Sequence, residues 1–499
     1  MLPTPVARLL PNSEAYERLP LIKPTGFREY DARWLFGDEL NLMGMQALGM
    51  GIGTYVRELG VRPEIVTGHD FRSYSASLKL ALVTGLMAAG MRVLDIGLAI
   101  TPMAYFAQFE LDAPCVAMVT ASHNENGWTG VKIGVERPVT LGPEQMGRLR
   151  EIVLTGAFDT PNGGAYSFIE NFPERYLGRL LDRPKLKNRL KVVVACGNGS
   201  AGAFAPDALE ALGCEVVRLD CDLDHSFPNY NPNPEDMAML HAMRSAVLES
   251  GADIGFGFDG DGDRCGVVDN EGVEIFADKM GVLLARDLSA AHPGALFIAD
   301  VKSTSLYATD PVLQANGARI EYWKTGHSHM KRRVRDSNAL AGFEKSGHYF
   351  FNPPLGRGYD DGLLSAFAIC DMLDRSRGRS LADLRRSLPK TWGTPTMSAR
   401  CADEEKYAVV GDALAAFRRM MTNSEPVAGD RIQDIMTVNG VRIITADGTW
   451  GLVRASSNKP ELVVVVESPV SEARMREMFV AVDGVIRRND AVGAYNQMI

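Results

Sequence analysis

Phe258-Asp259-Gly260-Asp261-Gly262-Asp263-Arg264 places three carboxylates at alternate positions, with glycine between them and arginine after the last. In extended backbone alternate side chains project to one side, so the three aspartates converge on a point. Carboxylates held that close repel one another unless a cation lies between them. Oxygen-only donors suit a hard ion, magnesium or calcium, rather than zinc. An Asp–Gly run is also what a solvated turn is made of. A calcium loop of the EF-hand type is ruled out, because its sixth and twelfth positions here hold Arg264 and Asn270 instead of glycine and glutamate. Gly255-x-Gly257-x-x-Gly260 has the form of a dinucleotide fingerprint, which must open a helix. Cys265 to Gly272 reads instead as a strand and a turn.

Three further segments carry reactive groups. The apolar run Pro114 to Val119 leads into Thr120-Ala121-Ser122-His123-Asn124-Glu125-Asn126, with Lys132 a little beyond. A serine at the end of a parallel strand sits where α/β folds bind their ligands. Ser122 could carry a phosphoryl group, with His123, Asn124 and Lys132 near it; the same residues would also satisfy a polar turn. Arg454-Ala455-Ser456-Ser457-Asn458-Lys459 joins two apolar runs. A guanidinium, hydroxyls, an amide and backbone N–H groups in one turn can cradle a phosphate, or can form a plain hairpin loop. In Phe343-Glu344-Lys345-Ser346-Gly347-His348, Glu344 and Ser346 alternate and could both reach a sugar hydroxyl. His327 and His329 imitate a zinc pair but lack a third nitrogen or sulfur ligand nearby.

The elements that must position these groups repeat. Strand, helix and strand are expected at 63–68, 75–89 and 90–95, again at 190–196, 204–212 and 213–219, and again at 295–301, 304–314 and 317–323. In each, a glycine (Gly90, Gly213, Gly317) ends the helix before a β-branched run resumes. Such units imply parallel pairing through right-handed crossovers, hence three related α/β domains. The tail differs. Asn439-Gly440 between apolar runs signals a hairpin; strands at 451–455 and 462–467 follow, then a helix over 471–487. Pro389 to Pro395 reads as a hinge before this smaller α+β domain.

Composition narrows the function. A chain of 499 residues, 46% hydrophobic and 23% charged, is that of an ordinary soluble protein. Length suggests about three or four domains. A net charge of −9 argues against a nucleic-acid partner. Lys331-Arg332-Arg333 with Arg335 is expected to be one charged face of a surface helix. Seven cysteines without a C-x-x-C pair indicate neither a disulfide framework nor a zinc knuckle. The N-terminus does not read as a signal peptide. Leu86 to Phe106 is interrupted by Arg92, Asp95 and Pro102, so no membrane span is expected there. A cytoplasmic protein follows.

Taken in order, these motifs resemble the α-D-phosphohexomutase family, most closely its bacterial phosphomannomutase/phosphoglucomutase branch. The resemblance runs from about Gly26 to about Glu467 and includes Tyr30-Asp31-Ala32-Arg33, Lys132, Lys302 and Lys324 to Ser328. It implies four domains around a central cleft: three related α/β domains with mixed sheets (1–167, 168–276 and 277–390) and a smaller α+β domain (391–499). It implies an isomerase that interconverts hexose 1-phosphate and hexose 6-phosphate, of mannose, glucose or both. The route passes through a phosphorylated Ser122 and a hexose 1,6-bisphosphate. Magnesium would be held by Asp259, Asp261, Asp263 and Ser122. Catalytic roles fall to Ser122, His123, Lys132, Arg264, His327 and His348. Substrate contacts fall to Tyr30, Arg33, Lys302, Glu344, Ser346, His348, Arg454, Ser456, Ser457 and Asn458. The resemblance implies a sugar-phosphate ligand, a monomer or small homo-oligomer, and neither nucleic acid nor membrane. Phosphoglucosamine mutase and metal-dependent sugar phosphatase are the alternatives. Two departures touch the sugar: Phe343 and Lys345 flank Glu344, and the phosphate loop reads Ser456-Ser457-Asn458-Lys459-Pro460.

Overall fold

Each helix-ending glycine adopts the left-handed conformation that closes a helix, with φ of 77° at Gly90, 111° at Gly213 and 68° at Gly317. The computed structural model describes residues 2–497. It divides into two compact units, Met1–Ala277 with Val334–Ala341 and Ser346–Ala382, and Asp278–Arg333 with Gly342–Lys345 and Asp383–Ile499.

The first unit contains two mixed sheets. One runs Ala32–Leu35, Trp128–Gly134, Cys115–Val119, Glu64–His69, Arg92–Leu98, Ala165–Phe168 across its width. Its four strands from Cys115–Val119 onward are mutually parallel, and the first two pair antiparallel. The helices Leu42–Glu58 and Ser75–Ala88 close its core with Leu48, Ile52, Leu78 and Leu82. The second sheet runs Glu274–Ile275, Cys265–Asp269, Ile254–Phe258, Lys191–Ala195, Glu215–Leu219. Ile254–Phe258 lies parallel to Lys191–Ala195 and antiparallel to Cys265–Asp269. The aspartate run is therefore the tight turn between two antiparallel strands, and no helix follows the glycines.

In the second unit Leu296–Asp300 pairs in parallel with Arg319–Trp323. The helix expected over 304–314 is broken into Leu306–Thr309 and Pro311–Ala315. Pro311 removes an N–H and forces Asp310 to extended backbone, ψ 124°. The Asp310 carboxylate then caps the second piece, accepting from Val312 and Leu313 N–H at 3.0 and 3.1 Å. The C-terminal sheet is wholly antiparallel, with Ile432–Met436 and Val441–Thr445 forming the hairpin around Asn439-Gly440.

Within Pro389 to Pro395, Trp392–Gly393 pairs with Glu467 and Ser468 as a strand of the last sheet. One further expectation is corrected. Lys331, on the helix His327–Asp336, is fully buried, so the basic run is not one solvated face. Arg333 of the same run lies 4.6 Å from the Trp323 ring and forks onto Glu321.

Within the second unit two buried ions join the last sheet to the loop after Leu296–Asp300. Glu467 accepts from Trp450 Nε1 (3.1 Å), Thr304 Oγ1 (2.9 Å) and the Ser305 N–H (3.0 Å). The Arg442 guanidinium lies 3.7 Å from the Trp450 ring and donates to the carbonyls of Val301 and Ser303 at 2.9 Å. Arg442→Met should lower stability by about 3 kcal/mol, since both carbonyls lose a charged donor. Urea unfolding checks this; an unchanged midpoint would mean the two carbonyls find water instead.

No helix among the described residues is long and apolar enough to cross a membrane. All seven cysteines are free thiols.

Candidate active site

The strand Cys115–Val119 leads into a loop whose serine lies in the left-handed region, Ser122 at φ +50°, a conformation uncommon outside glycine and asparagine. The surroundings hold it there. Ser122 N–H donates to Thr120 Oγ1 at 2.9 Å, and the Ala121 N–H donates to Asp70 Oδ2 at 3.2 Å. Buried Arg72, ion-paired with Asp70, donates to the carbonyls of Ser122 (3.1 Å) and Asn124 (2.6 Å). The hydroxyl is thereby aimed: Ser122 Oγ donates to Asp259 Oδ2 at 2.9 Å, and His123 Nδ1 lies 3.3 Å from it. Gly260 permits the approach, because a Cβ there would fall 2.3 Å from the Ser122 carbonyl oxygen.

The three aspartates are fully buried, and one oxygen from each lies within 4.8 Å of the others. Arg264 Nε donates to Asp259 Oδ2 at 3.0 Å, and Thr101 Oγ1 to Asp261 Oδ2 at 2.5 Å. Lys132 Nζ pairs with Asp261 at 2.8 Å and with Asp263. Burial pushes the Asp259 carboxyl up to about 7; Arg264 opposes this, while Asp263 and Asp261 add to it. Burial acts the same way on Asp261, but the Lys132 charge with the Lys132 and Thr101 hydrogen bonds holds it well below the carboxylate range. Lys132 is held well above its usual value: burial disfavours its charge, and Asp261 and Asp263 overcome that.

Three carboxylates against two cations leave the cluster with excess negative charge. Asp261 Oδ1 and Asp263 Oδ1 are buried and accept no hydrogen bond. Orphaned, converging carboxylate oxygens fit a hard divalent cation, with Asp259, Asp261, Asp263 and Ser122 as its donors. Adding Mg2+ to EDTA-treated protein at a hundredfold excess over Kd should therefore stabilise it by about 2.7 kcal/mol. Calorimetry on the protein and on Asp261→Asn checks this; an equal gain in the variant would place the ion elsewhere.

His348 joins this cluster. Its backbone bridges to Arg264, and its Nδ1 lies 2.9 Å from Asp360 Oδ2 and 3.7 Å from Asp263 Oδ1. Arg33 pairs across the sheet with Gly130, beside the strand that carries Lys132, and its side chain donates to Asp31 at 3.2 Å. Tyr30 is buried. Ser346 follows Lys345 at the point where the chain enters this unit.

The second unit gathers the other candidates. Glu344 Oε1 accepts from the Gly326 N–H at 2.7 Å, at the start of the helix that His327 opens. Asp300 accepts from Thr325 Oγ1 (2.8 Å) and from the Lys345 N–H (3.2 Å), with Lys302 Nζ 4.0 Å away. The Asn439 side-chain oxygen accepts from both the Thr325 N–H (3.3 Å) and Arg454 Nε (2.8 Å). Arg454 also donates to Ser457 Oγ at 3.1 Å, within the loop that holds Ser456 and Asn458. The residues that flank Glu344 are taken up by packing. Phe343 stacks on Tyr307 (centroids 5.9 Å apart), and Lys345 turns inward to Asp278 at 3.4 Å.

Sequence reading missed Asp70, Arg72, Thr101, Asp300, Asp360 and Asn439. One signal was available for the first two. Glu64–His69 is a parallel neighbour of the serine strand, so the residues after it lie at the same sheet end.

Four models of the family described as phosphoglucomutase/phosphomannomutase match the chain: alpha/beta/alpha domain I at 24–160, domain II at 169–272, domain III at 276–392 and the C-terminal domain at 397–485. Pseudomonas putida phosphomannomutase/phosphoglucomutase is 36% identical over 91% of this chain and 94% of its own length. A Neisseria meningitidis phosphoglucomutase is 33% identical over 91% and 96%. The crystal structure of a phosphoglucomutase/phosphomannomutase family protein from Burkholderia thailandensis superposes with a TM-score of 0.83 at 30% identity, covering 94% of this chain and 98% of that one.

Proposed function

The chain belongs to the phosphoglucomutase/phosphomannomutase family of α-D-phosphohexomutases, an isomerase family, and on that premise we propose how its residues divide the work. The observation that carries the reading is Ser122 Oγ, held 2.9 Å from Asp259 in an acidic cluster with orphaned oxygens. Phosphorylated Ser122 gives its phosphoryl group to the free hydroxyl of a hexose monophosphate. The hexose 1,6-bisphosphate turns over, and its other phosphate returns to Ser122. A bound Mg2+ would neutralise charge on the phosphoryl group.

Arg264 and His123 orient the serine side chain. Lys132, held protonated by its two carboxylates, is an electrostatic group rather than a base. His348 beside Asp360 fits a proton carrier better, with His327 as its counterpart. Tyr30 and Arg33 approach the reacting end. Lys302, Glu344 and Ser346 read sugar hydroxyls. Arg454, Ser456, Ser457 and Asn458 grip the phosphate that is not reacting. The domain limits 1–167, 168–276, 277–390 and 391–499, a cytoplasmic location and a monomer or small homo-oligomer belong to the same proposal.

Hydroxyl contacts at C3 and C4 do not separate glucose from mannose, which differ at C2, so both are substrates. A coupled assay with glucose 1-phosphate, mannose 1-phosphate and glucosamine 1-phosphate, primed by glucose 1,6-bisphosphate, tests this. Comparable rates on the first two are expected. A glucosamine ester turned over far faster would reassign the substrate, and steady phosphate release without isomer would make the protein a phosphatase.

A further inference from the structure

Lys406 lies outside every motif named above, at the first position of the helix Lys406–Thr422. Its side chain is buried, and its ammonium has three protein acceptors: Asp403 Oδ1 at 2.6 Å, the Ser456 carbonyl at 2.6 Å and the Lys459 carbonyl at 3.1 Å. An ammonium has three protons to donate, so its capacity is filled. Two of the three acceptors are backbone oxygens of the phosphate loop, one from each side of Ser457-Asn458.

We propose that Lys406 is the positioning residue of the phosphate loop, fixing its backbone so that donors face a hexose phosphate. The inference rests on the reading of this loop given under Proposed function. In a trans peptide C=O and N–H point in opposite directions. Drawing the Ser456 carbonyl onto Lys406 therefore turns the Ser457 N–H to the other side of the loop. The second carbonyl precedes Pro460, which has no N–H, so no donor is turned by that contact. On the loop's own side chains, Arg454 Nη2 holds Ser457 Oγ at 3.1 Å. The Ser456 N–H is already committed to the Glu461 carbonyl at 2.9 Å. Ser457 is thus the residue whose main-chain donor is oriented, and Lys406 orients it. Lys406 touches no substrate in this scheme. It acts through the loop, with charge-assisted hydrogen bonds that are stronger than neutral ones.

The test compares full-length wild type, Lys406→Met and Lys406→Arg, with Mg2+ and glucose 1,6-bisphosphate as primer. Lys406→Met is expected to raise KM for glucose 1-phosphate about tenfold while kcat falls less than about threefold, because ground-state grip is what the loop supplies. Lys406→Arg keeps a cation with several donors and should recover most of that KM. Amide hydrogen exchange should quicken at residues 455–461 in Lys406→Met and stay unchanged on the strand Cys115–Val119. An unchanged KM with unchanged exchange at 455–461 overturns the proposal. So does a fall in kcat alone. Should Lys406→Met fail to fold, Lys406→Arg and Asp403→Asn, which leaves both carbonyl contacts, carry the comparison: a KM increase in Asp403→Asn as large as tenfold would overturn it. A wild type that lacks mutase activity but shows the protected loop would defeat the functional reading instead.

Discussion

Ser122→Ala is expected to reduce mutase activity by at least about a thousandfold, with Mg2+ binding largely retained. The size follows from the proposed role of Ser122 as the group that bonds covalently to the phosphoryl. His123 Nδ1 lies 3.3 Å from that hydroxyl, and Thr120 Oγ1 is engaged by the Ser122 N–H. The three aspartates remain, so the proposed cation site loses one donor of four. Intact mass of the wild type should show an added phosphate that peptide mapping places on Ser122 and that is missing in the variant. A Ser122→Ala protein of full activity would defeat the phosphoserine route altogether. Loss of isomerisation with continued phosphate release would leave the metal cluster in place and change the acceptor to water.

Lys132→Met is expected to have the second largest effect, on stability as well as rate. Its ammonium bridges Asp261 and Asp263 in a place that water does not reach. Removing one partner of a buried ion pair costs about 3–5 kcal/mol, because the remaining charge is uncompensated. The pH dependence has a definite sign. In the wild type the Asp261 carboxyl is depressed, so its contribution is present above the unfolded value and is lost as pH falls. Without Lys132, burial raises that carboxyl instead, and the variant loses stability as pH rises through its new value. The gap between the two proteins therefore widens from acid to neutral pH. Urea midpoints at pH 5 and pH 7.5 in EDTA measure this, and Mg2+ should narrow the gap at pH 7.5 by supplying the missing positive charge. A gap equal at both pH values and indifferent to Mg2+ would mean that Lys132 matters only as packing. Activity should fall about a hundredfold, the lower end of what a single positioned electrostatic donor contributes.

Much of this protein is written locally. Alternating aspartate and glycine, a serine after an apolar strand, and glycines that end helices before β-branched runs all depend on neighbours in sequence. Backbone sterics and side-chain period act at that range, so the three strand–helix–strand units and the Asn439-Gly440 hairpin could be placed to within a few residues. The failures have the same logic. Pro311 broke an expected helix, and Lys331, charged and therefore expected on the surface, is buried.

Which charge meets which was settled by tertiary structure. Ser122 meets Asp259 across 137 residues, and Lys132 meets Asp263 across 131. Arg72 holds the serine loop across 52 residues. Lys345 turns to Asp278, and Lys406, which belongs to no motif, donates to the Ser456 carbonyl. The kinds of reactive group, their order and the elements that carry them were readable from local residues, because these are properties of short stretches of chain. The pairing of buried charges came with folding, because an ion removed from water takes the partner that the packed fold brings to it, however distant in sequence.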